Sequence, residues 1–305
     1  MKKNGYLKIL NQILKIMKPQ TITFLIKCPD KKGLVAKITN FFYEEGFNIQ
    51  SCQQYVNSIQ KTYFMRIRLQ AEGVVISKND LEIKFLELAA PLKLMWSVNY
   101  EENKSNLAIM VSHTSHCLYD LLERYKEGNL NCTIKMIISN HNKLRPIAEM
   151  FNIPYYYLPV DKDSKEQQER EVMNLLNENN IDLIVMARYM QILSSNFINS
   201  YPEKIINIHH SFLPAFQGAN PYKRAYERGV KLIGATAHYA TVDLDEGPII
   251  EQDVERVSHE STPQTLKRIG ADIERLVLAR AVKSHLQSQI IVANNRAIVF
   301  PETGE

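Results

Sequence analysis

The chain has 305 residues, of which 45% are hydrophobic and 23% are charged, as is usual for a globular protein with a buried core. Its formal net charge is +4, but five lysines lie in the first 18 residues, which contain no acid. Without those five, 32 basic residues balance 33 acidic ones. We therefore expect no nucleic-acid partner. No apolar run approaches about 18 residues, so we expect no membrane span either.

The four cysteines form no CxxC pair: they are Cys28, Cys52, Cys117 and Cys132. This spacing argues against a disulfide framework and a structural zinc site, and it fits a reducing, cytoplasmic location. Residues 1–18 have apolar side chains at helical spacing and predict an N-terminal extension, either helical or frayed. Lysines interrupt the apolar stretch, which argues against a signal peptide.

Residues 19–101 predict a first domain with the order βαββαβ, the ferredoxin-like arrangement. A β-branched, apolar strand over 21–27 precedes a helix that begins after Gly33 and ends at Gly46. Two strands joined by a turn, a second helix and a last strand follow, at 47–57, 61–71, 78–92 and 94–100. The polar stretch "EENKSN" that follows predicts a linker.

The segment "CPDKKGLVAKI", together with "GFNI", resembles the ACT domain, a small module that binds amino acids or pairs sheets between subunits. The resemblance implies an amino-acid effector near Asp30, Gly33 and Asn48, and a homodimer or homotetramer. Free backbone N–H groups where a strand turns into a helix attract a carboxylate. A second interpretation is open, in which Asp30 caps the helix and Asn48 makes a turn.

Residues 102–305 alternate strand and helix patterns and predict a second, Rossmann-like α/β domain with a mostly parallel sheet. Ligands bind at the carboxyl ends of strands in such sheets. Three strands are followed by polar side chains, in "INIHH", "HYATVDLDEGP" and "RYMQIL". We expect these three strand ends to face one mouth. Asn207 and His209 are two residues apart and should share a face, whereas His210 should point away.

The segment "NIHHSFLPAF", His238 and "LDEGP" resemble the formyltransferase-fold enzymes of folate metabolism. That family places Asn-x-His near an Asp that lies seven residues after a strand His, and the matching catalytic positions here are Asn207, His209 and Asp245. An ACT domain ahead of this domain, with "HCLYDLL", "ARYMQIL" and "GATAHY", is similar to the formyltetrahydrofolate deformylases.

This resemblance implies hydrolysis of 10-formyltetrahydrofolate to formate and tetrahydrofolate, which supplies formate for purine synthesis and balances the one-carbon folate pools. It implies a folate substrate and no separate cofactor. The implied folate-binding residues are Arg188, Met190, Gln191, Ile192, Leu193, His238 and Asp243. Three further side chains near the predicted mouth are candidates for the rim of the site, namely His113, His116 and Ser211.

Several alternatives are open. A catalytic metal is not expected, because no H-E-x-x-H motif is present. Asp245 could serve only to shape its turn. Transfer of the formyl group to a small amine is the second candidate activity, although the loop "VSHTSHCL" lacks the glycines of a phosphate cradle. A third candidate is an amino-acid sensor that has lost its activity, against which the complete set of three residues argues.

Overall fold

The computed structural model describes residues 21–161, 164–215 and 221–301. These form two compact units. The first comprises residues 21–103 with Phe300 and Pro301, and the second is drawn from Lys104–Val299. The predicted extension over 1–18 lies outside the described residues, and the division into 19–101 and 102–305 stays a prediction. Among the described helices, none is long and apolar enough to cross a bilayer.

The first unit has the predicted βαββαβ order and a four-stranded antiparallel sheet with strand order β2-β3-β1-β4. Its elements are β1 (Thr21–Pro29), α1 (Leu34–Glu44), β2 (Asn48–Asn57), β3 (Thr62–Gln70), α2 (Lys78–Leu92) and β4 (Met95–Tyr100).

Apolar residues at four-residue spacing explain why α1 packs on this sheet. Leu34, Ile38 and Phe42 are buried along one face of the helix. The ring of Phe24 lies 5.0 Å from that of Phe42 and 4.7 Å from that of Phe85, measured between centroids. These aromatic side chains form the centre of the core of the first unit.

The second unit contains a seven-stranded sheet with strand order β11-β10-β9-β8-β5-β6-β7, and the prediction of a mostly parallel sheet is confirmed. The strands are β5 (Ser105–Val111), β6 (Cys132–Ser139), β7 (Tyr155–Tyr157), β8 (Leu183–Met186), β9 (Ile205–His209), β10 (Leu232–Tyr239) and β11 (Ile249–Arg256). The helices are α3 (His116–Lys126), α4 (Arg145–Met150), α5 (Lys165–Glu178), α6 (Ser195–Ser200), α7 (Pro221–Arg228) and α8 (Pro263–Leu286).

The direction of β10 differs from the prediction. β10 is antiparallel to β9, with His238 opposite Asn207 and Tyr239 opposite Ile206. The carboxyl end of β10 therefore lies at the amino end of β9, and the expectation of three strand ends facing one mouth is wrong for this strand. The loop after β10 turns back closely against the end of that strand. A Cβ on Gly247 would lie only 1.8 Å from the carbonyl oxygen of Tyr239, so this close approach requires glycine.

Three elements of the second unit had no counterpart in the sequence-based prediction. Two are the short helices α6 and α7. The third is an antiparallel hairpin of β12 (Ile290–Ala293) and β13 (Arg296–Val299). Each is too short for a hydrophobic period to stand out in the sequence.

Candidate active site

A cleft of about 620 Å³ opens in the second unit beside the carboxyl ends of β8 and β9. The structure brings together here the three predicted catalytic side chains and most of the predicted folate loop. The predicted residues among its lining are Arg188, Met190, Gln191, Ile192, Asn207, His209 and Asp245. A smaller adjoining pocket shares several of these residues and adds Leu193 and His238.

The Asp245 carboxylate lies between two imidazole rings. Its Oδ2 is 3.1 Å from Nδ1 of His209, and its Oδ1 is 3.6 Å from Nε2 of His238. Burial by itself raises the pKa of Asp245, but the hydrogen bond from His209 outweighs it and holds that pKa well below its ordinary value. The cleft therefore contains a carboxylate that is ionised at neutral pH.

The contact with Asp245 assigns the two ring nitrogens of His209. Because an ionised carboxylate only accepts, Nδ1 carries the hydrogen that points to Asp245. The other nitrogen, Nε2, is buried and has no hydrogen-bond partner among the described residues. A buried nitrogen without a partner is costly, so Nε2 is the ring atom left for a ligand.

The amide of Asn207 is oriented by His238. Nδ2 of Asn207 lies 3.2 Å from Nε2 of His238, whose Nδ1 lies 3.0 Å from the carbonyl oxygen of Tyr239. Since a carbonyl only accepts, Nδ1 of His238 carries a hydrogen, and in the neutral ring Nε2 accepts from Asn207. One amide hydrogen of Asn207 is then engaged, and the second is free to serve a ligand in the cleft.

His210 does not point away from the site as expected. It lines the same cleft, and its ring centroid is 5.1 Å from that of His209. The alternation of a strand fails here because β9 ends at His209. Burial, followed by the charges of Arg188 and His209, lowers the pKa of His210 to about 4. The ring is therefore neutral at pH 7.

The loop after β8 presents the predicted folate residues in two ways. Met190 and Ile192 are exposed on the cleft, whereas Leu193 is buried in the core. The backbone N–H of Met190 donates to Oγ of Ser112, which in turn donates to Oδ1 of Asn140. The loop is thus anchored to the ends of β5 and β6, and its apolar side chains remain available.

A buried carboxylate beside the cleft, Glu274, was not anticipated from the sequence. Its Oε2 is 2.8 Å from Nε2 of His116 and 3.5 Å from Nε of Arg188, and its Oε1 accepts from the hydroxyl of Tyr222 at 2.5 Å. Burial raises the pKa of Glu274, but the hydrogen bond from His116 and the charge of Arg188 outweigh it and lower that pKa.

The sequence pattern of α8 indicates that Glu274 is buried. Leu266, Gly270, Glu274 and Leu278 recur every four residues on α8 and are all buried. An acid on an apolar stripe predicts a buried partner. Gly270 leaves room for Tyr222, since a Cβ there would lie 2.0 Å from the tyrosine oxygen.

The donor atoms of His116, Cys117 and Glu274 lie within 4.8 Å of one another, the spacing of a metal site. Two observations disfavour a cation there. Burial raises the pKa of the Cys117 thiol well above its ordinary value, so a cation bound through Sγ would first have to displace that proton. The Arg188 guanidinium, 3.5 Å from Glu274, already neutralises the carboxylate.

Comparison with known proteins assigns each unit to the family that its sequence resembles. The formyl transferase family model matches residues 105–282, and the ACT domain model matches residues 22–75. The formyltetrahydrofolate deformylase of Bacillus subtilis (strain 168) is 48% identical over 277 residues, which is 90% of this chain and 92% of that protein. The chain belongs to the formyltetrahydrofolate deformylase family.

Among solved structures, a deformylase matches more of this chain than a formyltransferase does. A formyltetrahydrofolate deformylase from Pseudomonas syringae pv. tomato is 40% identical, with a TM-score of 0.91 over 97% of this chain and 99% of that one. A phosphoribosylglycinamide formyltransferase from Brucella melitensis is 29% identical, with a TM-score of 0.57 over 63% of this chain and 100% of that one.

The remaining predicted residues of this chain lie outside the described lining of the cleft. The ring of His113 stacks on that of His141, 3.6 Å between centroids. Ser211 is buried and donates to the carbonyl oxygen of Ala215. Asp243 is exposed on the loop after β10. His116 is engaged by Glu274. Their predicted functions stay predictions.

The three predicted effector residues lie where β1 turns into α1 and where β2 begins. The backbone N–H of Asp30 donates to the carbonyl oxygen of Lys61 at 2.8 Å. Gly33 precedes α1 with a φ of 85°. The side chain of Asn48 donates to Oε1 of Gln70 at 3.4 Å. The exposed side chain of Asp30 is available to a ligand.

Proposed function

We propose that this chain hydrolyses 10-formyltetrahydrofolate to formate and tetrahydrofolate in the cleft beside β9. Its membership of the deformylase family supports the reaction. The single observation that carries the mechanism is the ionised Asp245 carboxylate, 3.1 Å from His209 in a cleft that Asn207 also lines.

Asn207 stabilises the charge that develops on the formyl oxygen. Water adds to the formyl carbon, and the carbonyl oxygen becomes an oxyanion in the tetrahedral intermediate. The amide hydrogen that His238 leaves free can donate to that oxygen. A donor fixed in advance contributes about 3–4 kcal/mol in comparable sites.

Asp245 and His209 orient the attacking water and transfer the protons. Asp245 orients the attacking water and stabilises positive charge on His209, while Nε2 of His209 faces the reacting groups. When the C–N bond breaks, the nitrogen of tetrahydrofolate receives one proton through His209. The carbon leaves as formate, and the second proton of water is released to solvent. No redox change occurs, so the step is balanced with water alone.

The loop after β8 and the loop after β10 bind the folate. Met190 and Ile192 cover the face of its ring system, and Gln191 offers hydrogen bonds to its polar edge. Leu193 supports the loop from the core side, and His238 orients Asn207. Asp243 completes the predicted set from the loop after β10, where its exposed carboxylate can meet the substrate.

Further proposals concern the setting of the reaction. We propose that no separate cofactor or metal takes part, that the protein works in the cytoplasm, and that its formate supplies purine synthesis and balances the folate pools. The first unit binds an amino acid at Asp30, Gly33 and Asn48 and holds a homodimer or homotetramer. A screen of amino acids against wild type and Asp30→Ala tests the effector, and light scattering tests the assembly.

The test of the activity is formate yield from 10-formyltetrahydrofolate in a buffer that contains no amine. Equal amounts of formate and tetrahydrofolate are expected. A protein that binds folate and releases neither product would contradict the proposal. A chelator added to the same assay should not change the rate.

A further inference from the structure

Arg188, at the wall of the cleft, has a backbone conformation that costs free energy. Its φ is 66°, in the left-handed region that favours glycine. Holding a residue with a side chain in such a conformation costs free energy, and such residues cluster at functional sites. A glycine here would remove the cost but would also remove the guanidinium.

The burial of the guanidinium without enough hydrogen bonds also costs free energy. Its side chain is 13% exposed, and Nε and Nη1 are buried without a hydrogen-bond partner among the described residues. Its ion pair with Glu274 joins a single nitrogen to a single oxygen at 3.5 Å. Unused buried donors on a charged group are expensive. They indicate a ligand that completes the hydrogen bonding of Arg188.

The charge around the reaction indicates which ligand this is. Hydrolysis converts a neutral formyl group into an anion, and it does so beside the ionised Asp245, which repels a second carboxylate. The other cations among the described lining residues, Lys223 and Lys267, are exposed at the rim. Arg188 is the least exposed cation among them, and a guanidinium matches a carboxylate with two parallel hydrogen bonds.

We propose that Arg188 binds the formate product, in place of the folate contact predicted from the sequence. Glu274, held by His116 and Tyr222, positions the guanidinium and competes with formate for it. The inference rests on the proposed function, since it assumes that formate is formed in this cleft.

The experiment is product inhibition by sodium formate, with sodium chloride keeping the ionic strength constant. Arg188→Gln removes the charge but keeps a hydrogen-bonding side chain. The inhibition constant for formate should rise about tenfold or more, the equivalent of one charge-assisted hydrogen bond. Lys223→Gln is the matched control, because it removes an exposed cation from the same cleft and should leave the inhibition constant unchanged.

A variant with the opposite expected sign separates binding from a structural effect. Glu274→Gln removes the carboxylate that competes for Arg188, so formate should inhibit this variant at lower concentration than wild type. General damage to the cleft would weaken formate binding in both variants. Arg188→Lys, which keeps the charge without the planar fork, should fall between wild type and Arg188→Gln, and it replaces the latter if that variant does not fold.

Two results would overturn the inference. One is an inhibition constant for formate that is unchanged in both Arg188 variants. The other is a rise in KM for the folate without any change in formate inhibition, which would return Arg188 to the substrate. A wild-type protein that forms no formate would contradict the proposed function itself, so the two failures are distinguishable.

Discussion

Nδ1 of His209 lies 3.1 Å from Oδ2 of Asp245, although the two residues come from elements that run in opposite directions. β9 supplies the imidazole, and the loop after the antiparallel strand β10 returns to supply the carboxylate. The φ of Asp245 is 60°, so the carboxylate too is placed by an unusual backbone conformation. This contact fixes which nitrogen of His209 is left for chemistry.

Asp245→Asn should lower kcat by about 10³-fold to 10⁴-fold, while KM for the folate changes little. The substitution keeps the size of the side chain and removes the charge that orients His209 and the water. Steady-state kinetics of formate release checks this. Glu246→Gln, an exposed neighbour on the same loop, is the matched control. A variant that keeps most of its rate would rule out the proposed role of Asp245.

His209→Gln and His210→Gln should differ strongly although the residues are adjacent. The first removes the imidazole that contacts Asp245, and we expect a loss of at least about 10²-fold in kcat. The second removes a ring that is neutral at pH 7, because the pKa of His210 is about 4, and the loss should be milder. Comparable losses in both would mean that His210 takes part in the proton transfers.

Gly270→Ala should destabilise the second unit by about 1–3 kcal/mol, because the new Cβ would overlap the ring of Tyr222. Thermal unfolding measures the effect. Repeating the substitution in a Tyr222→Ala background supplies the control, since the overlap is then absent and the cost of Gly270→Ala should fall. An unchanged cost would show that the overlap with Tyr222 is not its cause.

His285 should make the protein less stable in mild acid. Burial, followed by the charge of Lys204, lowers the pKa of His285 to about 4, and its Nδ1 is 2.7 Å from the hydroxyl of Tyr239. In the unfolded chain, this group binds a proton near pH 6.5, so acidification through the window from about 6.5 to 4 favours unfolding.

The measurement for His285 is the fall in melting temperature between pH 7 and pH 5. The fall should be smaller in His285→Gln than in wild type, although not abolished, because the lowered pKa of His210 acts in the same direction. An equal fall in both proteins would contradict the assignment.

The sequence was most informative where local pattern and motif spacing agree. The period of Leu34, Ile38 and Phe42 indicates the buried face of α1 without further information. The resemblance to the formyltransferase-fold enzymes implied a set of residues, Asn207, His209, His238 and Asp245, that the structure does bring to one place. The first prediction depends on residues that are near one another in the chain, and the second depends on a motif of fixed spacing.

The rest depends on tertiary structure. The apolar run of β10 fits a parallel or an antiparallel neighbour equally well, so its direction could not be inferred. The side chain of His210 follows no alternation because β9 ends one residue earlier. Glu274 lies 158 residues from His116 in the chain, and the packing of α8 against α3 brings them together.

The most direct measurement is the fate of the formyl group in water enriched in oxygen-18, with glycinamide ribonucleotide present or absent. The account predicts formate that carries one labelled oxygen, at the same rate in both cases, and no formyl group on the amine by mass spectrometry. Formylated amine, with no formate formed in its absence, would show that the chain transfers the formyl group to an amine and would contradict hydrolysis at Asn207, His209 and Asp245.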